Sequence, residues 1–242
     1  MLKITLKGGD IREVQENTTV DALCREISIG LYKSACAAKV DGKVVDLRYT
    51  LNTDCTVEIL TFDSEEGKKA FWHTASHIMA QAVKRLYPEA KLAIGPATDS
   101  GFYYDFDNER PFTQEDLPKI EEEMKKIVKE SLQLELFSLP RDKALELMKD
   151  EPYKVELIND LPEDATITFY KQGDFVDLCA GPHLPDTGRV KAFKLLSVTG
   201  AYWRGDSSRK MLQRIYGVAF PKASQLEEHL VKLEEAKKRD HN

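Results

Sequence analysis

At 242 residues the chain is long enough for one or two domains, and its apolar and charged fractions are those of an ordinary globular protein rather than a disordered or fibrous one. No apolar run approaches the roughly 18 residues a membrane span needs and no signal peptide opens the chain, so no membrane partner is expected; four cysteines without framework spacing (Cys24, Cys36, Cys55, Cys179) read as a reducing compartment, the cytoplasm. The net charge of −6 argues against a uniformly basic nucleic-acid binder, but from Lys191 onward 11 Lys+Arg face 6 Asp+Glu, so a polyanionic partner is expected to meet the C-terminal third.

Residues 2–7 alternate as a strand, Gly8-Gly9-Asp10 signals a hairpin turn, and Ile11–Val14 returns. Asn17-Thr18-Thr19 offers an N-cap for a helix through Ala22, Leu23 and Ile27. Short strands at 35–40 and 43–47 flank Asp41-Gly42, and Cys55–Leu60 is a last apolar strand. This order over about 60 residues has the size of a ubiquitin-like β-grasp. It holds no histidine, and no chemistry is expected in it. The polar stretch Thr61 to Gly67 marks a domain boundary.

Ala70 to Leu86 has helical periodicity and stops before Pro88. His73 and His77 fall on one face, four apart, while Phe71, Ile78, Met79, Ala82 and Leu86 fall roughly opposite. The histidine face is otherwise small or polar, which leaves room for something to approach. The segment FYYDF at 102–106 reads as a strand with aromatics on both faces, Thr113 caps a helix carrying Leu117, Ile120, Met124, Ile127 and Val128, and Leu132 to Leu139 suggests a strand before a helix opened by Pro140. The type of the segment from Pro152 is open. Strands at Thr166–Tyr170 and Phe175–Cys179 flank a turn, and Gly181-Pro182 is expected to fold His183 back toward Cys179. Strands at Phe193–Leu196 and Met211–Phe220 enclose a basic aromatic loop, GAYWRGDSSRKM, and Ser224 caps a final charged helix.

His73 and His77 together with Cys179 and His183 make a set of soft or borderline donors suited to Zn²⁺ or to proton transfer. An HxxxH pair alone says little; with CxxxH about a hundred residues later it points to one site. On a strand, Asp177 shares a face with Cys179.

HTASH, AIGPATDSGFYYDF, VDLCAGPHLPDTG and GAYWRGDSSRKMLQRIYG resemble the N-terminal half of the bacterial threonyl-tRNA synthetase family, and the likeness covers essentially the whole chain. It implies an α+β protein with a small ubiquitin-like β-grasp (TGS) domain at 1–61, a larger α+β editing domain at 62–224, of the type shared with alanyl-type enzymes, and a linker helix at 225–242. Arg239-Asp240-His241 resembles the start of the family's catalytic core. The residues before it resemble none of the motifs that bind ATP and amino acid. The implied function is hydrolysis of the ester in mischarged seryl-tRNA(Thr), sparing threonyl-tRNA(Thr), and no aminoacylation is expected from this chain. The partner is the tRNA(Thr) 3′ end, and the parent enzyme is expected to be a homodimer through its core.

By motif match, His73, His77, Lys154, Cys179 and His183 line the editing site. His73 activates water or protonates the leaving group, Lys154 resembles the family's editing lysine, and Asp177 resembles the carboxylate that holds the substrate ammonium. Tyr104 is a candidate substrate contact, while Trp203 and Arg204 suit stacking on a terminal adenine and pairing with a phosphate. No cofactor is expected: ATP and a catalytic zinc belong to the family's core, and Lys154 with Asp177 matches the metal-free threonyl pattern. His73, His77, Cys179 and His183 would be the tetrad if a metal were held. Ala180 departs from the family, whose members often carry arginine there. Two other readings stay open: a zinc-dependent alanyl-type deacylase acting in trans, and a non-catalytic tRNA-binding arm.

Overall fold

The computed structural model describes residues 1–240; His241, the last of the three residues expected to open the next domain, lies outside the described residues. In chain order the elements are β1 (Leu2–Leu6), β2 (Ile11–Val14), β3 (Thr18–Thr19), α1 (Val20–Ile27), α2 (Ile29–Ser34), β4 (Ala35–Val40), β5 (Lys43–Val45), β6 (Thr50–Leu51) and β7 (Cys55–Thr61). There follow α3 (Glu65–Leu86), β8 (Lys91–Leu92), β9 (Phe102–Asp107), α4 (Leu117–Glu130), β10 (Leu134–Leu139), α5 (Arg141–Leu147) and α6 (Pro152–Asp160). The last are β11 (Ile167–Gln172), β12 (Phe175–Leu178), β13 (Ala192–Tyr202), β14 (Met211–Phe220) and α7 (Ala223–Asp240). The protein is α+β, as expected. Residues 1–74 and 132–187 form one compact unit and residues 75–131 and 188–242 another, with α3 beginning in the first and continuing in the second.

The first unit opens with a five-stranded sheet in the order β2-β1-β7-β4-β5, with β1 and β7 parallel at its centre and hairpins on either side. Both hairpins turn where the sequence signals it, with positive φ at Gly8, Gly9, Asp41 and Gly42. Ile4, Val20, Leu23, Leu47, Leu51 and Val57 close the core between sheet and α1, giving the β-grasp. Sequence periodicity misses α2. Ser28 makes it possible: its backbone N–H ends α1 on the Cys24 carbonyl, and its hydroxyl starts α2 by accepting from Leu31 N at 3.0 Å.

The rest of this unit is an antiparallel sheet, β10-β11-β12, covered on one face by α5 and α6. Phe169, Ile167, Val176 and Leu178 point to those helices, where Ala144, Met148 and Ile158 complete a core. Strand alternation sends Tyr170 and Asp177, directly paired across β11 and β12, to the other face. The open segment from Pro152 is α6, with proline in the first turn and the backbone of Val155 closing on Glu151 O.

The second unit is built on the antiparallel sheet β13-β14-β9-β8, with α4 packed on β13. Buried Glu121 of α4 accepts from Leu195 N at 2.9 Å, and Asp105 on β9 takes a two-pronged contact from Arg214 on β14 at 2.8 and 3.0 Å. β13 runs on to Tyr202, so the basic loop is shorter than its sequence suggests. Among the described residues no helix is long and apolar enough to cross a membrane.

Ser28→Ala is expected to cost about 1 kcal/mol, the usual worth of an N-cap side chain. Urea unfolding would read it, and an unchanged midpoint would contradict the double-capping role.

Candidate functional site

From Ala70 to Val83, α3 is buried at every position except His73, which is half-buried. The expectation of a small, open histidine face holds for His73 alone; His77, one turn on and in the second unit, is 3% exposed. The cause is that the helix is enclosed on all sides, so its greasy stripe is not its only buried face.

The CxxxH bend comes back on itself as its glycine and proline suggest. Gly181 has φ 74°, and a Cβ there would land on Tyr170 Oη, so both backbone and space require glycine. The Gly181-Pro182 peptide is cis. Cys179 Sγ lies 3.2 Å from His183 Nε2, and Gly181 N donates to the same sulfur at 3.3 Å.

His183 is completely buried, and Thr74 of α3, which sequence reasoning missed, sets its ring. The Thr74 hydroxyl has one proton and donates it to Ala70 O at 3.2 Å. It accepts from Leu184 N at 3.0 Å and contacts His183 Nδ1 at 3.0 Å; with the hydroxyl proton on Ala70 O, it is Nδ1 that brings the proton to that contact. Nε2 is then an acceptor facing Cys179. Burial raises the Cys179 thiol to about 11, helped by the Asp177 and Asp46 carboxylates, so S–H donates to Nε2 at neutral pH. The chain Ala70, Thr74, His183, Cys179 is satisfied in one direction.

His73 faces the same bend. Its ring stacks on His183 at 5.6 Å between centroids and bonds to the Pro182 carbonyl. Burial, opposed by that bond and aided by nearby Lys69, holds its pKa below the ordinary histidine value. His73 is therefore neutral near pH 7: one nitrogen can donate and the other carries a lone pair.

Lys154 on α6 and Asp177 on β12 form an ion pair of 2.8 Å with side chains only 3% and 1% exposed. Both charges act on the Cys179 thiol, so the pair belongs to the same locality. Lys154 lies in the first turns of α6, four residues before buried Ile158.

The β-grasp also supplies hydrogen-bond partners to this locality. Asp46 Oδ2 accepts from Tyr170 Oη at 2.7 Å and from His183 N at 3.1 Å. Arg48 donates to the carbonyls of Leu134, His183, Leu184 and Pro185. The motif DLR at 46–48 carries no sequence signal for this role.

The remaining candidates lie in the second unit. Tyr104 is fully buried, with its ring stacked on Phe106 at 5.0 Å and covering Gly95, so within that unit it is core rather than an exposed contact. Trp203, expected to stack on an adenine, is 2% exposed, with its ring buried in this structure. Arg204, at φ 55°, is exposed and leans over that ring at 5.4 Å.

His73, Cys179 and His183 bring three metal-capable atoms within 4.8 Å of one another, the number a catalytic zinc takes from protein. The donors fit such an ion in type and number. Its cost is loss of the thiol proton, which burial and two carboxylates resist.

The fold and this locality define a class that comparison with known families makes specific. Residues 2–61 match the TGS domain, and residues 167–216 match the threonyl and alanyl tRNA synthetase second additional domain. Over its whole length the chain is 63% identical to the threonine–tRNA ligase of Acetivibrio thermocellus, 63% to that of Clostridium tetani and 61% to that of Clostridium perfringens. It spans 38% of the length of each of these relatives. The whole chain thus aligns with the N-terminal part of threonine–tRNA ligases.

Lys154→Met, which strands a buried carboxylate, is expected to cost about 3–5 kcal/mol in chemical denaturation, with most of it regained in Lys154→Met/Asp177→Leu. Equal losses in the single and double variants would contradict a paired arrangement.

Proposed function

We propose that the locality around His73, Cys179 and His183 hydrolyses the ester of seryl-tRNA(Thr) and spares threonyl-tRNA(Thr). The observation that carries the reading is a neutral, half-buried imidazole set against a thiol–imidazole pair, with a buried lysine–carboxylate pair in electrostatic reach. Likeness to threonine–tRNA ligases supports the choice of tRNA.

The need for such a site follows from magnitudes. Serine lacks one methyl of threonine, and a missing methyl gives only about 1–3 kcal/mol of discrimination, so a site built for threonine cannot strongly reject the smaller residue. A second site that excludes the larger side chain restores accuracy.

In the proposed reaction His73 takes a proton from water as the water oxygen adds to the ester carbonyl. The resulting imidazolium returns the proton to the ribose oxygen as the carbon–oxygen bond breaks. Asp177 takes the substrate's α-ammonium beside or in place of Lys154, whose positive charge then stands next to the reacting ester. Cys179 and His183 form a wall that narrows the space for the side chain. His77 retains its assignment on the HxxxH spacing, and Arg204 is assigned a phosphate of the RNA. Division of residues 1–61, 62–224 and 225–242 into TGS domain, editing domain and linker is part of the same reading.

A second reading rests on the three clustered donors. Zinc held by His73, Cys179 and His183 would supply a water of lowered pKa. The protonated thiol, already engaged with His183, favours the metal-free form.

The 242-residue chain is expected to deacylate seryl-tRNA(Thr) at least about tenfold faster than threonyl-tRNA(Thr), in line with one methyl of discrimination. Equal rates would contradict the sieve. His73→Ala is expected to lower kcat by about 10²–10⁴-fold, the usual contribution of a general base. Because burial lowers the His73 pKa, the base form persists through neutrality; activity should fall on acidification only below the ordinary histidine value of 6.5, and His73→Ala should lack that limb. Protein purified without added metal is expected to hold well under one zinc per chain and to keep its activity in chelator; a stoichiometric ion with chelator-sensitive activity would favour the second reading.

A further inference from the structure

We propose that Asp46 of the β-grasp is a positioning residue for His183, acting through Tyr170 and through the backbone of the bend. The inference rests on the hydrolase reading of the site and gives the β-grasp a part in it.

Asp46 is saturated by four donors, two at each oxygen. Oδ1 accepts from Arg48 N at 2.8 Å and Arg48 Nη1 at 2.7 Å. Oδ2 accepts from Tyr170 Oη and His183 N. The carboxylate is thus fixed in rotation by its own turn and presents one oxygen to the bend. The turn itself is rigid: Leu47 is buried in the β-grasp core, its carbonyl accepts from Asp21 N at 2.8 Å, and Val20 N donates to Tyr49 O at 3.0 Å. Alternation therefore sends Asp46 and Arg48 outward while Leu47 anchors them.

Two routes run from this anchor to the imidazole. The first runs through the backbone, since Asp46 holds the His183 N–H and Arg48 holds the His183, Leu184 and Pro185 carbonyls by hydrogen bonds. The second is the Tyr170 ring, which lies 4.3 Å from the His183 ring and whose hydroxyl points at Asp46. Burial and the neighbouring Asp46 carboxylate push the phenol well above its usual range, so it remains an O–H donor throughout the working pH range. The same phenol sits where a side chain at residue 181 would go, so it packs directly against the bend. Sub-ångström placement is what this geometry controls, and displacement of about 1 Å at a reacting group can cost on the order of 100-fold in rate.

The test uses the 242-residue chain with ¹⁵N-labelled histidine and three variants: Asp46→Asn, Tyr170→Phe and, as a control on the β-grasp surface, Lys7→Ala, which removes only an exposed pair with Glu58. Two quantities are read: the His183 ring nitrogen resonances, with His229 as internal reference, and kcat and KM for seryl-tRNA(Thr). Asp46→Asn and Tyr170→Phe are expected to shift the His183 signals, leave those of His229 in place and lower kcat by about 10- to 100-fold with KM nearly unchanged, while Lys7→Ala changes nothing. Unshifted His183 signals in either folded variant would overturn the proposal, as would shifted signals with unchanged kcat. If the parent chain proves inactive on the ester, the hydrolase reading falls by itself, and the His183 signals alone decide whether Asp46 positions the ring.

Discussion

One threonine hydroxyl holds the arrangement together. Thr74 sits on a buried helix, within hydrogen-bond reach of the turn before it at 3.2 Å and of His183 Nδ1 at 3.0 Å. With the hydroxyl proton on the Ala70 carbonyl, Nδ1 of the imidazole carries the ring proton and Nε2 accepts from the Cys179 thiol. The same hydroxyl accepts from Leu184 N, so the backbone just past the ring is tied to the helix as well. Two segments more than a hundred residues apart are joined by a group with no spare valence.

Around that junction, charge is arranged in layers of different mobility. Lys154 and Asp177 are an ion pair too deeply buried to be kept for stability, since an apolar pair of similar size does as well or better. A buried pair in reach of a neutral imidazole makes sense as a reserved position for a charged substrate group. The thiol, pushed up to about 11 by burial, stays protonated near neutrality and serves in the proposed reaction as a wall. Within the proposed reaction these features favour activated water over covalent catalysis.

Much of the fold was legible from the sequence. Strand alternation and the Gly8-Gly9 and Asp41-Gly42 turns encode the β-grasp hairpins locally, and Gly181 encodes the bend because nothing else fits there. What was hidden depends on distant chain. Helix α2 exists because Ser28 serves two helices at once. The helix of the two histidines looks amphipathic but is buried all round, so its exposed face could not be read from periodicity. Trp203, set among arginines and lysine, looks like a surface aromatic and is interior. At the site, the paired spacings of His73 and of Cys179 with His183 were visible, as was the strand face shared by Asp177. Thr74, Tyr170, Asp46 and Arg48 were not, because a hydroxyl or carboxylate that orients another side chain leaves no pattern along the chain.

The most direct measurement is a crystal structure of the chain with a non-hydrolysable amide analogue of seryl-adenosine. The account predicts the ligand's ammonium on Asp177, its carbonyl carbon within reach of a water held by His73, and its hydroxymethyl group against the Cys179–His183 wall with no space for another methyl. A ligand seated elsewhere, or a seryl side chain with open room beside it, would contradict the account.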